Sequence, residues 1–286
     1  MKLTRLLENR RVSHSFRLRG INDRLKISAK ALETTKTALI NIYLKKANDC
    51  IGDVIIVDDK NPSRMDLSIA YCDKVIALDP GLAEGWHEKG KRLLGIEDFK
   101  GAIDCFNKVV TLNAEPDIKA EALYYIGRWG TDLYESITCF DAALVLTPND
   151  TRLLYAMAQK LLQVECYDQA ILFYGMAINV DEGIIRIASL IERGAILLLQ
   201  NHYSEALLDF NRAIRLIETG RHSLTEDDVN YQDLPTFLSN ALNNKILALL
   251  GLNRKDDALL CFNLLLNRSL SLFEDVVCAI GSINHE

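Results

Sequence analysis

The chain has 286 residues, 49% of them apolar and 25% charged, which is ordinary globular composition and excludes a largely disordered polymer. No uninterrupted apolar stretch approaches the ~18–20 residues that span a bilayer, and the N-terminus lacks the apolar core of a secretory signal. Net charge is −6, and the seven cysteines are odd in number, scattered and never spaced C-x-x-C, which argues against a disulfide framework and for a reducing, cytoplasmic setting.

Residues 1–30 form a basic arm, with nine Lys/Arg against Glu8 and Asp23. Everything after it carries the compensating acidity. The arm fits three readings: a solvated extension or helix lying across the acidic body, an Arg-rich organellar transit segment, or a contact for a polyanion. The transit reading would move the expected location from cytoplasm to an organelle. The acidic remainder opposes general nucleic-acid binding outside the arm, because it repels phosphates.

Residues 31–80 read as a degenerate helical hairpin, whose first helix falls within 31–58 and which is broken by a loop containing Pro62. "DVIIVDD" (Asp53–Asp59) is the one run with an ambiguous strand pattern. From there the chain repeats itself. "DLSIAYCDKVIAL", "FKGAIDCFNKVVTL", "LYESITCFDAALVL", "YDQAILFYGMAINV" and "YSEALLDFNRAIRL" align on the small residues Ser68, Ala102, Ser136, Ala170 and Ala206, spaced 34, 34, 34 and 36. Four residues later stand Cys72, Phe106, Phe140, Tyr174 and Phe210; three further stand Val75, Val109, Ala143, Ala177 and Ala213. Offsets of four and three mark one helix face, where a small residue admits a neighbouring helix and a bulky one fills the space beside it. A sixth copy, "KDDALLCFNLLL", carries Ala258 and Phe262.

A partner helix precedes each copy. Trp86, Ala120, Leu154 and Leu190 lie 34, 34 and 36 apart, and Leu242 follows after 52, so the stretch 217–235 is an insertion. Clear repeats therefore run over 83–218 and a last repeat over 236–268. The five prolines, Pro62, Pro80, Pro116, Pro148 and Pro235, are expected between helices, since proline costs about 3 kcal/mol inside one. In 269–286, Phe273, Val276, Val277 and Ile280 form one helical stripe, which predicts a capping helix.

These repeats resemble the tetratricopeptide repeat family over about residues 65–268. "GWHEKGKRLLGIEDFKGAIDCFNKVVTLNAE" carries the family's Trp-x-x-x-Gly opening as Trp86 and Gly90, followed by Ala102 and Phe106. The resemblance implies an all-α, superhelical solenoid of about six antiparallel hairpins over 31–286. It also implies that the first helix of each hairpin lines a concave groove that holds a partner segment. Carried over residue by residue, the groove positions are Glu84, His87, Glu88 and Lys91; Glu121, Tyr125, Arg128 and Trp129; Arg152, Tyr155, Gln159 and Gln163; and Ile191, Glu192, Ala195 and Leu198.

Among these, His87, Lys91, Tyr125, Arg128, Trp129, Arg152, Tyr155 and Gln159 are the expected partner-binding residues. Aromatic rings beside guanidinium groups are the residue types of binding hot spots, and they suit a peptide with apolar and acidic elements. Trp129 and one tyrosine plugging the neighbouring core is the plainer alternative. The family's clamp for chaperone C-terminal carboxylates is not expected. Its positions hold His87, Lys91, Ala122, Arg152 and Ala156, without the asparagines and without the second cation of the third helix.

No Gly-rich phosphate loop, G-x-S-x-G or paired catalytic signature is present, and no histidine has a metal-ligand partner at i+4. All five histidines are expected at the surface. Cys105, Cys139 and Cys261 share one repeat position and are expected to pack rather than react. The reading is a non-enzymatic adaptor or scaffold with neither cofactor nor metal. A dedicated chaperone or assembly factor for one client comes second, and an enzyme with an unrecognised site third.

Overall fold

Wherever the small-then-bulky pattern occurs, the chain is helical. A computed structural model describes residues 26, 30–50, 64–180, 183–220 and 234–266. Every regular element among them is an α-helix: α1 (30–49), α2 (Arg64–Leu78), α3 (Ala83–Gly95), α4 (Phe99–Thr111), α5 (Pro116–Trp129), α6 (Leu133–Leu146), α7 (Thr151–Gln163), α8 (Tyr167–Val180), α9 (Ile184–Leu199), α10 (Tyr203–Gly220), α11 (Leu234–Gly251) and α12 (255–266). Nearly all of the basic arm, the run Asp53–Asp59, most of the insertion and the expected capping stripe lie outside the described residues.

Contacts divide the chain into two compact units, Met1–Ala122 and Leu123–Glu286, with the boundary inside α5. In the first unit α3 packs between α2 and α4. In the second, each helix packs on the next from α6 to α11, and the alternate helices α7, α9 and α11 also touch. Within this unit the first helices α7, α9 and α11 thus share one layer.

The repeat pattern is the core. Ser68, Ala102, Ser136 and Ala170 are all buried, and Phe106, Phe140, Tyr174 and Phe210 have no exposed surface at all. The aromatic needs a gap in the preceding helix. A Cβ added to Gly90 would stand 2.8 Å from Phe106, and one added to Gly194 would stand 2.6 Å from Phe210. Neither glycine has a positive φ, so close approach is their reason. In the α5–α6 hairpin the equivalent glycine position holds Tyr124, and Phe140 packs instead on Gly127, one turn later, where an added Cβ would stand 2.7 Å from the ring.

Hairpin turns are equally regular. Asp98, Cys166, His202 and Arg254 each donate their backbone N–H to the carbonyl five residues back, at 2.8–2.9 Å, closing the helix end. The residue before each is left-handed: Glu97, Glu165, Asn201 and Asn253, with φ of 57–62°. The α5–α6 turn departs from this, with Gly130 donating to Ile126 and no left-handed residue. Asp98, Asp132 and Asp150 cap α4, α6 and α7 by accepting backbone N–H groups of the first turn.

Two prolines correct the expectation. Pro116 opens α5 and Pro235 lies in the first turn of α11, where no intrahelical N–H bond is lost. Phe262 also differs from its counterparts, being 49% exposed. Within the second unit, α6, α8 and α10 each pack on the helix that follows, and no helix follows α12 among the described residues.

Candidate functional site

In the first unit, α3 carries a polar cluster rather than an open surface. His87 was expected at the surface; it is buried. Its Nε2 lies 3.3 Å from Glu121 Oε2, its Nδ1 lies 3.8 Å from Glu88 Oε1, and its ring meets the edge of Phe106. The position faces a neighbouring first helix, and the carboxylates there make burial tolerable. Desolvation pulls the imidazole down, but the nearby carboxylates of Glu121 and Glu88 outweigh it and hold His87 above its ordinary value. His87, with Lys91 and Arg92 beside it, holds Glu88 down at about 2 despite burial.

Arg92, also buried, extends the network. It donates to Ser68 Oγ at 3.1 Å and to Asn48 Oδ1 at 2.6 Å, and pairs with Glu88 Oε2 at 2.7 Å. Lys91 is half-buried and lies 3.3 Å from Glu88 Oε1. Both expected contact residues of this unit therefore spend their polar atoms on internal partners.

In the second unit the remaining expected residues fall into two interacting groups, Tyr125 and Arg152 around Tyr124, and Arg128 with Trp129, Tyr155 and Gln159. Tyr124 and Tyr125 meet edge to face at 5.3 Å, and Arg152 lies over the Tyr124 ring at 5.8 Å while pairing with Asp150 at 2.9 Å. Arg128 lies over Trp129, which is 39% exposed. Arg128 also acts electrostatically on Tyr155, to which Gln159 supplies a hydrogen bond. Burial, then Glu192, push the Tyr155 phenol up to about 12.

Tyr155 meets Tyr174 edge to face at 5.7 Å. Tyr174 is completely buried, and its hydroxyl has no hydrogen-bond partner. Burial, then Glu192, raise its pKa as well. Glu192 itself is half-buried on α9, and desolvation raises its carboxyl above the usual range. Sequence reading placed Glu192 on the groove side without giving it a role, and placed Tyr174 in the core. The available signal was an acid inside the apolar run "IIRIASLIERGAILLL".

The repeat cysteines pack as expected: Cys105 and Cys261 are buried, Cys139 is half-buried, and burial raises all three thiols. Among the described residues no three metal-ligating side chains cluster, and no helix is long and apolar enough to cross a membrane.

Helical hairpins of near-constant period, with glycine-seated aromatics, define a tetratricopeptide-type repeat fold. No family model matches the sequence, and no curated protein matches it. Solved structures do match, and these neighbours are tetratricopeptide-repeat proteins. PilF of Pseudomonas aeruginosa is 13% identical at a TM-score of 0.58, over 82% of this chain and 93% of its own. PilW, described as a type IV pilus biogenesis factor, is 14% identical at 0.52, over 74% and 90%. MamA is 22% identical at 0.52, over 59% and 99%. At such identities the likeness is one of fold.

Proposed function

We propose that this chain is a non-enzymatic binding scaffold for another protein. Its contact surface is the face of the second unit that carries Tyr125, Arg128, Trp129, Arg152, Tyr155 and Gln159. The half-exposed Trp129 beneath Arg128 carries this reading, because such a ring is costly to leave against water and gains most from a partner. Arg152, held over Tyr124, adds a positioned cation for an acidic residue of the bound segment. In the first unit, His87 and Lys91 serve recognition indirectly, by fixing the backbone that presents Glu84 to solvent. The same composition supports a cytoplasmic setting, and contact with a polyanion falls to the basic arm.

The test is capture from native extract, followed by titration of the purified captured protein against wild type and the Trp129→Ala/Arg152→Ala double variant. Both side chains are substantially exposed, so the variant is expected to melt with wild type. Affinity is expected to fall at least tenfold, about 1.4 kcal/mol or more. Unchanged affinity would remove the surface from consideration.

A chaperone role for a dedicated client is the second reading. It is favoured by Leu172, Leu208 and Leu260, which are 60–68% exposed at equivalent positions of α8, α10 and α12. It expects suppression of client aggregation, lost when the three become serine.

A further inference from the structure

A cation recurs at one position of the first helices, three residues after Trp86, Leu190 and Leu242: Lys89 on α3, Arg193 on α9 and Lys245 on α11. Lys89 pairs with Asp73 of the preceding hairpin at 2.7 Å. Arg193 pairs with Asp209 of its own hairpin through bonds of 2.7 and 2.8 Å. Lys245 has neither acid. The residue matching Asp73 is Asn211, since Asp73 is five after Ser68 and Asn211 five after Ala206. The residue matching Asp209 is Cys261, three after Ala258 as Asp209 is three after Ala206.

Lys245, Asn211 and Cys261 line one open-mouthed cavity of about 260 Å³ between α10, α11 and α12. Leu207, Leu249 and Leu264 stand among its apolar walls. Its other charged residues, Arg254 and Asp257, are bonded to each other at 2.7 Å and cancel. With Lys245 and Arg254 against Asp257, the cavity carries one net positive charge. Lys245 is half-buried, and no carboxylate among the described residues pairs with it. Burial raises the Cys261 thiol, so it offers the ammonium no countercharge.

We infer that this cavity binds a small aliphatic monocarboxylic acid, with its carboxylate on Lys245 and its hydrocarbon body among the leucines. One net positive charge calls for one negative charge, and the Asn211 amide offers a further donor to a carboxylate oxygen. A phosphate or other polyanion is disfavoured, because its surplus charge would lie against hydrocarbon. A peptide segment is disfavoured too. Its backbone amides would face leucine side chains, and the helical walls have their own backbone groups already bonded. At about 30 Å³ per heavy atom, the volume of a water, the space suits roughly eight or nine non-hydrogen atoms. The cavity shares no residue with the proposed binding face, so the two readings stand or fall separately.

The experiment is calorimetric titration of the full chain with straight and branched aliphatic acids from butanoate to octanoate, and with their amides. At least one acid is expected to saturate a single site, and its amide is expected not to. Lys245→Met keeps the bulk of the side chain without its charge, and is expected to weaken that acid by about tenfold or more. Asn211→Asp supplies the carboxylate that Asp73 gives Lys89. It is expected to melt higher than wild type while binding the acid about tenfold more weakly, an opposition that a damaged fold would not produce. Trp129→Ala/Arg152→Ala is expected to bind the acid as wild type does. No acid of the series saturating at millimolar concentration would overturn the inference, as would binding that survives both Lys245→Met and Asn211→Asp. Tighter, Lys245-dependent binding of acetyl-Leu-Glu-Leu amide than of every free acid would overturn it in favour of a glutamate side chain of a protein partner.

Discussion

Gly194 and Phe210 show how little room the repeat leaves at the scale of one residue. A methyl group at Gly194 would sit 2.6 Å from the Phe210 ring, which is itself completely buried and unable to retreat. Gly194→Ala is therefore expected to lower stability by about 1–3 kcal/mol, although alanine is the better helix former. In a Phe210→Leu background the same change is expected to cost less, because the smaller side chain frees the space. Denaturant titration of the four proteins of this cycle checks it, and additive effects would mean that the two residues do not share a gap.

The turns decide matters at the scale of the element. Glu165 is left-handed at φ 60° in the α7–α8 turn, a conformation that costs a residue with a Cβ roughly 1–2 kcal/mol. Glycine removes that cost and adds its own chain entropy. Glu165→Gly is expected to stabilise by about 0.5–1 kcal/mol in thermal or urea unfolding. Thr131→Gly, in the α5–α6 turn, the one turn within a hairpin among the described residues that has no left-handed residue, is expected to destabilise, because only the entropy remains. The two substitutions look alike in an alignment of the repeats, and only the backbone separates them.

For the whole molecule, three groups among the described residues bear on how stability depends on pH between acid and neutral conditions. Glu88 is depressed to about 2, so its contribution is complete above the ordinary carboxylate range and is lost only as pH falls through about 2. His87 is raised, so its contribution is complete below the ordinary imidazole value and is lost as pH rises through the raised one. Glu192 is raised too, so the fold favours its neutral form and loses stability as pH rises through its folded value. From about pH 5 upward, His87 and Glu192 act in the same direction. The melting temperature is expected to fall between pH 5 and 8, and to fall less in His87→Gln/Glu192→Gln. A profile as steep in the double variant as in wild type would assign the slope to other groups.

The repeat was legible because burial is periodic. Ser136, Phe140 and Ala143 stand at offsets of four and three and are buried together. Their counterparts 34 residues either way behave identically, because each meets the same neighbouring helices. The exception, Phe262, obeys the same pattern and stands 49% exposed, since covering depends on a following helix and not on the residue itself. Of the candidate site, the nearness of guanidinium to ring was legible at Arg128 and Trp129, whereas Arg152 lies over Tyr124, a ring outside the expected set. His87 was misplaced because its carboxylate partner Glu121 comes from another helix, 34 residues on, and that contact turns a polar position inward.

The sequence by itself determined the helices, their pairing into hairpins and the small-to-aromatic core. All of these follow from spacing along a chain whose helical geometry is known in advance. Only the tertiary structure decided which polar groups are satisfied. Arg193 is paired with Asp209, His87 lies between two carboxylates, and the Tyr174 hydroxyl has no hydrogen-bond partner among the described residues. Countercharge is a property of distance in space, and a periodic sequence records distance only along its own helix.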